Sequence, residues 1–572
     1  MKKTRILSLL LVLIILFTAC SSPAQKDTTS SEKPETESTD TAEKAEEKEN
    51  ASGEGEPVPS LTIYCSLPED NMVNYEMANE VVEELTKLGV DIDAQPVDFA
   101  VLMDKLYGDD MDYDAYTIGW SGRVERLDPD MFIHSINHTD NAKAGGNNTD
   151  RYSNEEFDKL ADAQRREMDP EKRKELVFEA QKILAEDVPR VTLYSRANVQ
   201  VYNNKKFEGV ENIPGEGLFN EWTPIRVRPL TDDKVLKVAS NVNLDTLNPM
   251  GAKSVYEWRN LRLIYDKLVR LSPDIEPTGS AAESWEVVDD QTVDVVLRQG
   301  MTFHDGQPVT VEDVKYTYDA FIENSVEYFM SFLEPIESVE IVDENTVRFK
   351  LKYPYAPFVT TTMTQIPILP KHIWEAKEDP KNDPNSEPIG SGPFVFVNFR
   401  PGEELVANRF DDYHTAANVD GYIFKIFGAP EGVLTALERH EIDMVSYDLV
   451  PAHIEMVEKN EGGKFDDYEL TSVNDIGFFY LGFNNDRAPF NNKQFRIAVA
   501  HLVDYDLALD VHLNGHGSRG GGGLVLNAAN AFWHNPEVPI YDKYDPEKAK
   551  EILEEAGFTW DSNGKLHMPA GE

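Results

Sequence analysis

The chain has 572 residues, with 103 Asp and Glu against 55 Lys and Arg, and a formal net charge of −48. A phosphate backbone is held by a cationic surface, so this balance excludes a nucleic-acid partner and suits an outward-facing surface adapted to salt. A chain this long outgrows a single hydrophobic core, so two or more domains are expected.

Lys2, Lys3 and Arg5 precede a run from Ile6 to Phe17 that is apolar but for Ser8. A bilayer-spanning helix needs ~20 apolar residues, so this shorter run reads as the apolar region of a signal peptide over residues 1–20. Phe17-Thr18-Ala19-Cys20 then resembles the lipobox of bacterial lipoproteins, with Phe17 where that pattern prefers Leu. The resemblance implies that Cys20 is lipidated and anchors the protein at the outer face of the cell membrane. Residues 21–56 are Ser, Thr, Glu and Lys with almost no large apolar side chain, which predicts a disordered acidic tether. With Cys20 lipidated, Cys65 has no disulfide partner; it alternates with Leu61 and Ile63 and reads as a small core residue.

Leu61 to Cys65 alternates like a strand, and Met72 to Leu88 places Val73, Met77, Val81, Leu85 and Leu88 on one helical stripe, ending at Gly89. Val90 to Pro96 is a second strand, so the unit is βαβ with parallel strands. Ala115 to Ile118 is another short strand, running into Gly119-Trp120-Ser121-Gly122-Arg123. A helix is expected from Ser153, whose Ser-x-x-Glu spacing to Glu156 makes a capping box. Another is expected from Asp169-Pro170, a capping Asp followed by Pro at the first helical position. Farther on, Asp294 to Arg298 alternates, Phe303-His304-Asp305-Gly306 turns, and Thr310 to Asp313 opens a helix toward Phe321. Gly390-Ser391-Gly392-Pro393 punctuates two strand-like runs, and Gly477 to Asn484 is an aromatic-rich strand. Asp545 to Lys548 starts a last helix, closed by Gly557. Strands alternating with helices throughout give the α/β class.

Several of these stretches resemble the bacterial extracellular solute-binding proteins of family 5, which include dipeptide, oligopeptide, glutathione and nickel binders. The resemblance is carried by Ala282-Glu283-Ser284-Trp285, Phe303 to Val314, Gly390-Ser391-Gly392-Pro393-Phe394, Leu481-Gly482-Phe483-Asn484, Tyr544 to Ala549, Gly119 to Arg123 and Tyr152 to Asp158. It runs from about Ser60 to the end. The order differs from the family's: segments resembling Lys237 to Gly557 come first there, and those resembling Leu61 to Arg228 close the chain. The resemblance therefore implies a two-lobed, periplasmic-binding-protein-like α/β fold (type II, three-domain variant) with mixed sheets and a hinge, written in circularly permuted order. Gly571-Glu572 and Gly55-Glu56 share a dipeptide at the expected seam, and Arg226 to Asp233 would bridge the family's original termini. The same order arises if parts of two neighbouring genes are joined.

Mapped on the family, one lobe takes residues 57–195 and 484–572, and the other 196–483 with a subdomain near 272–379. Hinge crossings are expected near Leu193-Tyr194 and Leu481 to Asn484. Trp120 and Arg123 follow a strand, at the carboxyl edge where open α/β sheets bind ligands. Peptide-binding relatives carry an Asp three places after this Trp to hold the peptide's amino group; here it is Arg123, which pairs with carboxylates. Glutathione-type members resemble this Gly-Trp-Ser-Gly-Arg. The resemblance implies capture of small peptides, acidic or glutathione-like, with Trp120 as a pocket wall. Asn484, Tyr256, Trp258 and Arg259 are placed at the cleft by family position. The expected partners are a small peptide, the permease subunits of an ABC transporter, and the membrane through the lipid on Cys20, with the chain a monomer. A metal-chelate (nickel-type) or haem-like ligand, or a non-transport signalling lipoprotein, are the alternatives.

No enzyme is expected. Gly390-Ser391-Gly392 and Gly119 to Gly122 lack the full Gly-x-Ser-x-Gly elbow, and no His and Asp can be assigned to them. Gly517 to Gly523 lacks the Lys-Ser/Thr of a phosphate loop and reads as a mobile loop. His512 and His516 have the spacing of two metal ligands on one helical face, but Asn514-Gly515 between them reads as a turn. Neither a metal site nor a cofactor is expected.

Overall fold

In a computed structural model of the chain, the alternation of Leu61, Ile63 and Cys65 becomes strand β1 (Leu61–Ser66), with those three side chains buried. Burial pushes the Cys65 thiol up to about 11, the behaviour of an inert core residue. The structure describes residues 55–122, 126–519 and 532–571. The expected signal peptide, nearly all of the expected tether, Arg123 and most of the glycine-rich run lie outside the described residues.

Helix α1 (Pro68–Lys87) starts earlier than its stripe predicts, because Pro68 suits a first helical turn. A break at Asn71 (φ −155°, ψ 88°) separates that turn from the expected helix, and the Asn71 side chain accepts from Asn74 N at 3.3 Å. Strand β2 (Ile92–Val97) pairs in parallel with β1, Leu61 opposite Ile92. Helix α2 (Phe99–Tyr107) leads to β3 (Ala115–Trp120), also parallel to β1. Helix α3 (Glu155–Arg166) is capped by Asn154 and not by Ser153: Asn154 Oδ1 accepts from Glu156 N and Phe157 N at 3.0 and 3.2 Å. Asn is as good an N-cap as Ser and stands one residue nearer the helix. Helix α4 (Pro170–Asp187) has the expected Asp169 cap.

The next element organises the molecule. Strand β4 (Arg190–Asn203) is 14 residues long, and its two halves pair with different partners. Its first half pairs antiparallel with Phe478–Phe483, which in turn pairs antiparallel with β3. Its second half pairs with Tyr468–Asn474 and with Met444–Val445. Through Met444–Val445 the sheet continues to Val235–Ser240, Gly421–Ile426 and the hairpin Phe394–Arg400/Glu404–Arg409, making one 12-stranded mixed sheet. A separate four-stranded antiparallel sheet (Ala282–Asp289, Thr292–Leu297, Thr346–Leu351, Ile336–Ile341) falls within the expected subdomain.

Of the two runs expected around Gly390-Ser391-Gly392-Pro393, only Phe394–Arg400 is a strand. These glycines serve backbone packing: Gly392 N donates to Ile264 O at 2.8 Å, and a Cβ on Gly392 would collide with the backbone of Leu263 and Ile264.

Two large cores give the fold its two lobes. One buries Leu236, Val238, Trp258, Tyr318, Phe349 and Tyr422. The other joins residues from both ends of the sequence, Leu61, Ile63, Met77 and Val81 with Phe495, Leu553, Leu566 and Met568. Val58 N donates to Leu566 O at 2.9 Å, Met568 N to Glu56 O at 2.8 Å, and Trp560 Nε1 to Leu88 O at 2.7 Å.

At the root of β4, Arg190 forms an ion pair with Asp150, and both side chains are almost wholly buried. Tyr116 OH donates to the same carboxylate at 2.5 Å. Breaking such a pair leaves one charge buried alone. Asp150→Ala is therefore expected to lower the unfolding free energy by about 3–5 kcal/mol, read by urea denaturation; a loss below about 1 kcal/mol contradicts this role.

Candidate functional site

The strand directions define where a ligand can be held. β3 runs antiparallel to Phe478–Phe483 with Trp120 opposite Phe478, while Met444–Val445 runs antiparallel to the far half of β4. The carboxyl ends of β3 and of Met444–Val445 therefore approach the middle of β4, Ser195 to Asn198, from opposite sides. Open α/β sheets gather ligands at such carboxyl ends, because loops and backbone donors collect there.

Trp120 closes β3 and is half-buried, and its indole Nε1 is buried with no hydrogen-bond partner among the described residues. The guanidinium of Arg126 lies over its ring at 5.0 Å, and Arg126 Nη1 donates to Ser121 O at 2.6 Å. Opposite stands Asp475, whose N–H donates to Arg196 O at 3.0 Å and whose Oδ1 accepts from Gly477 N at 3.0 Å. Asp448, just beyond Met444–Val445, accepts from Asn198 Nδ2 at 2.8 Å and Gln200 Nε2 at 3.1 Å. It is exposed to solvent yet walled by protein, so desolvation raises its carboxyl above the ordinary range. Desolvation raises Asp475 as well, and the charge of Asp448 adds to the rise. Arg259 donates from Nη1 to Ser446 O at 2.7 Å, its guanidinium lies 5.8 Å from the Tyr256 ring centroid, and its charge acts on Asp448. Its Nε is buried without a hydrogen-bond partner.

Of the residues expected at the cleft, Trp120, Tyr256 and Arg259 lie around this recess, and Arg123 lies outside the described residues. Trp258 does not: it is 1% exposed and packs on Tyr328 and Phe329 in a lobe core, because it occupies the inner face of helix Val255–Ile264. Asn484 does not either. The antiparallel register puts Phe483 opposite Ala115, so Asn484 sits ~20 Å along the sheet from Trp120. There it is buried and holds the backbone, Nδ2 donating to Tyr113 O at 3.1 Å. Asp448, Asp475, Arg196 and Arg126 were not singled out from the sequence; only Arg126 lies beside a recognised motif. His512 Nε2 pairs with Glu80 Oε1 at 2.8 Å, and Asn514 (φ 51°) and Gly515 (φ 79°) make the expected turn before His516.

A second charged cluster lies inside one lobe. Glu221 is flanked by Lys267 and by Arg270 at 3.2 Å, and Glu216 pairs with Arg262 at 2.8 Å. With Asp266, 3.4 Å from Arg270, three carboxylates face three cations there, and Glu216 and Glu221 line a small cavity with Leu127, Trp222 and Leu271.

The model for bacterial extracellular solute-binding proteins, family 5 (middle region), matches residues 276–570, just over half of the chain. The chain belongs to this family. It is 27% identical over 314 residues to the oligopeptide-binding protein AppA of Bacillus subtilis, covering 53% of this chain and 55% of that protein. It is 28% identical over 319 residues to the dipeptide-binding protein of Escherichia coli, covering 52% and 58%. Among solved structures it is similar to NikZ from Campylobacter jejuni in complex with Ni(L-His), with 23% identity, a TM-score of 0.45 and coverage of 59% and 66%. The chain spans a little over half the length of the curated relatives it matches.

A carboxyl with a raised folded value binds its proton more tightly folded than unfolded, so it stabilises the fold while protonated, and that contribution is lost as pH rises through the folded value. Asp448→Asn keeps the shape without the charge. Its melting temperature relative to the unchanged protein is expected to rise from about pH 4 to pH 7; a constant or shrinking difference contradicts a desolvated Asp448.

Proposed function

We propose that the chain is the substrate-binding protein of an ABC importer, anchored through Cys20 at the outer face of the membrane, which captures small peptides between its lobes and delivers them to a permease. The observation that carries this is the charged cluster beside Trp120. It pairs two desolvated carboxylates, Asp448 and Asp475, with two donors that lack partners, Trp120 Nε1 and Arg259 Nε. A peptide answers both needs: its ammonium group neutralises the carboxylates, and its carboxylate or carbonyl oxygens take the donors. Arg123, three residues after Trp120, adds a cation suited to a second carboxylate and favours an acidic or glutathione-like peptide. The relatives named as oligopeptide- and dipeptide-binding proteins agree with this class.

In this reading the lobes are residues 57–195 with 478–572, and 196–474: the second crossing lies at Asn474 to Phe478 and not at the expected Leu481 to Asn484, because Phe478–Phe483 pairs with β3 and packs in the first lobe, and closure bends the chain at that link and in β4. We read the segment order as a circular permutation. Three observations support it. The family match runs from 276 to 570 in order and leaves 61–228 outside. Backbone around Glu56 to Val58 pairs with Leu566 to Met568. Arg226 to Asp233, the join between the rearranged parts, is short and mostly exposed.

Calorimetric titration with one small acidic peptide tests the ligand class. The free peptide is expected to bind at least about tenfold more tightly than its carboxyl-amidated or amino-acetylated forms, because a site built for those groups rejects analogues lacking them. Arg123→Ala should narrow the difference between free and amidated peptide. Equal affinity for free and blocked forms overturns the proposal.

A further inference from the structure

Outside the cleft, one cluster of side chains has the geometry of a metal centre. Met131–Ser135 forms a single π-helical turn, and beyond it the chain brings His138 beside His134, with ring centroids 4.5 Å apart and planes 24° apart. Across from them, α3 presents Asp158 and Asp162, four residues apart on one face. A pair of imidazoles thus meets a pair of carboxylates. Asp162 Oδ1 lies 3.4 Å from His134 Nε2 and 3.6 Å from His138 Nε2, and one ligand atom from each of the three residues falls within 4.8 Å of the others. Ligands at about 2.0–2.1 Å on a tetrahedral zinc ion stand about 3.4 Å from one another. Asp162 is therefore already at ligand spacing from both rings, and the two imidazoles, within 4.8 Å of it and of each other, converge on one ion by turning their stacked rings.

Simple ion pairing leaves this arrangement unexplained. His138 is only 6% exposed, and its Nε2 is buried, aimed at the carboxylates, and without a hydrogen-bond partner. Asp158 is committed elsewhere, its Oδ1 accepting from Thr139 N at 3.0 Å, and stands 3.9 Å from His138 Nε2. Arg165 Nη1 is 3.4 Å from both ring nitrogens of His134 and so lies along neither lone pair, and Arg165 Nε is 3.1 Å from Asp130.

We infer that His134, His138 and Asp162 form a binding site for a zinc-like divalent transition metal, with water or Asp158 as the fourth ligand. The site is separate from the recess beside Trp120 and independent of the peptide reading. Ligation through His138 Nε2 places the ring proton on Nδ1, which now accepts from Asp140 N at 3.1 Å. That bond must open, at a cost of about 1 kcal/mol, small beside the ~10 kcal/mol of a structural zinc site.

The test is calorimetric titration of the full chain, carrying Cys20→Ser to remove the thiol of the leader segment, with Zn²⁺ in excess Mg²⁺ to occupy surface carboxylates. One tight equivalent is expected. His134→Ala and His138→Ala should each weaken it more than tenfold, and His512→Ala should leave it unchanged. Co²⁺ added to the protein with these histidines intact should give the intense visible bands of a tetrahedral site, a readout that does not depend on any His variant folding. Weak binding of several equivalents that is the same in the His variants, or a Co²⁺ spectrum of octahedral type, overturns the inference.

Discussion

The structure depends on one strand that belongs to two sheets' worth of partners. β4 spends its first residues beside Phe478–Phe483 and its last beside Tyr468–Asn474 and Met444–Val445. Backbone hydrogen bonds run along nearly its whole length, so the two lobe cores are tied together without sharing side chains. The strand directions follow from that tie, and they bring the carboxyl ends of both lobes to its middle. A recess at that point is a consequence of topology before any side chain is chosen.

Chemistry then enters through what the recess leaves unbalanced. Several buried charges elsewhere are matched: Asp150 with Arg190, Asp128 with Arg173, Glu221 with Lys267 and Arg270. Beside Trp120, Asp448 and Asp475 are held by amide and backbone donors and by the nearby charge of Arg259, with no ion pair at short range, and desolvation raises both carboxyls. The proposed peptide supplies the ammonium group that such a pair lacks. Side-chain contacts also join the lobes: Thr360 Oγ1 donates to Asp128 Oδ2 at 2.8 Å, Arg165 lies over the Tyr355 ring at 5.4 Å, and Leu127 packs with Leu271 and Ile275.

Much of the fold was legible in the sequence. The β1–α1–β2 unit, the Asp169 and Thr310 caps, the buried Cys65 and the aromatic strand Phe478–Phe483 follow from local periodicity and capping chemistry. Ser153 misled because two good caps stand side by side and only geometry chooses between them. The Gly390 segment misled because glycine marks close backbone approach as readily as a break between strands. Of the residues gathered around Trp120, the sequence singles out Trp120, Tyr256 and Arg259 themselves. Asp448 and Asp475 belong to no motif and meet Trp120 only after distant strand ends are brought to β4, so no local pattern announces them. Asn484 and Trp258 were misplaced for the converse reason: a position in a chain says nothing of which end of a strand, or which face of a helix, it will occupy.

The central claim is that the rearranged chain folds into one two-lobed unit that holds a peptide. A native mass spectrum of the protein, produced without residues 1–20 and with no refolding step, tests it most directly. The account predicts a narrow charge distribution of a compact monomer carrying small adducts of peptide mass. A broad distribution typical of unfolded chains would contradict it.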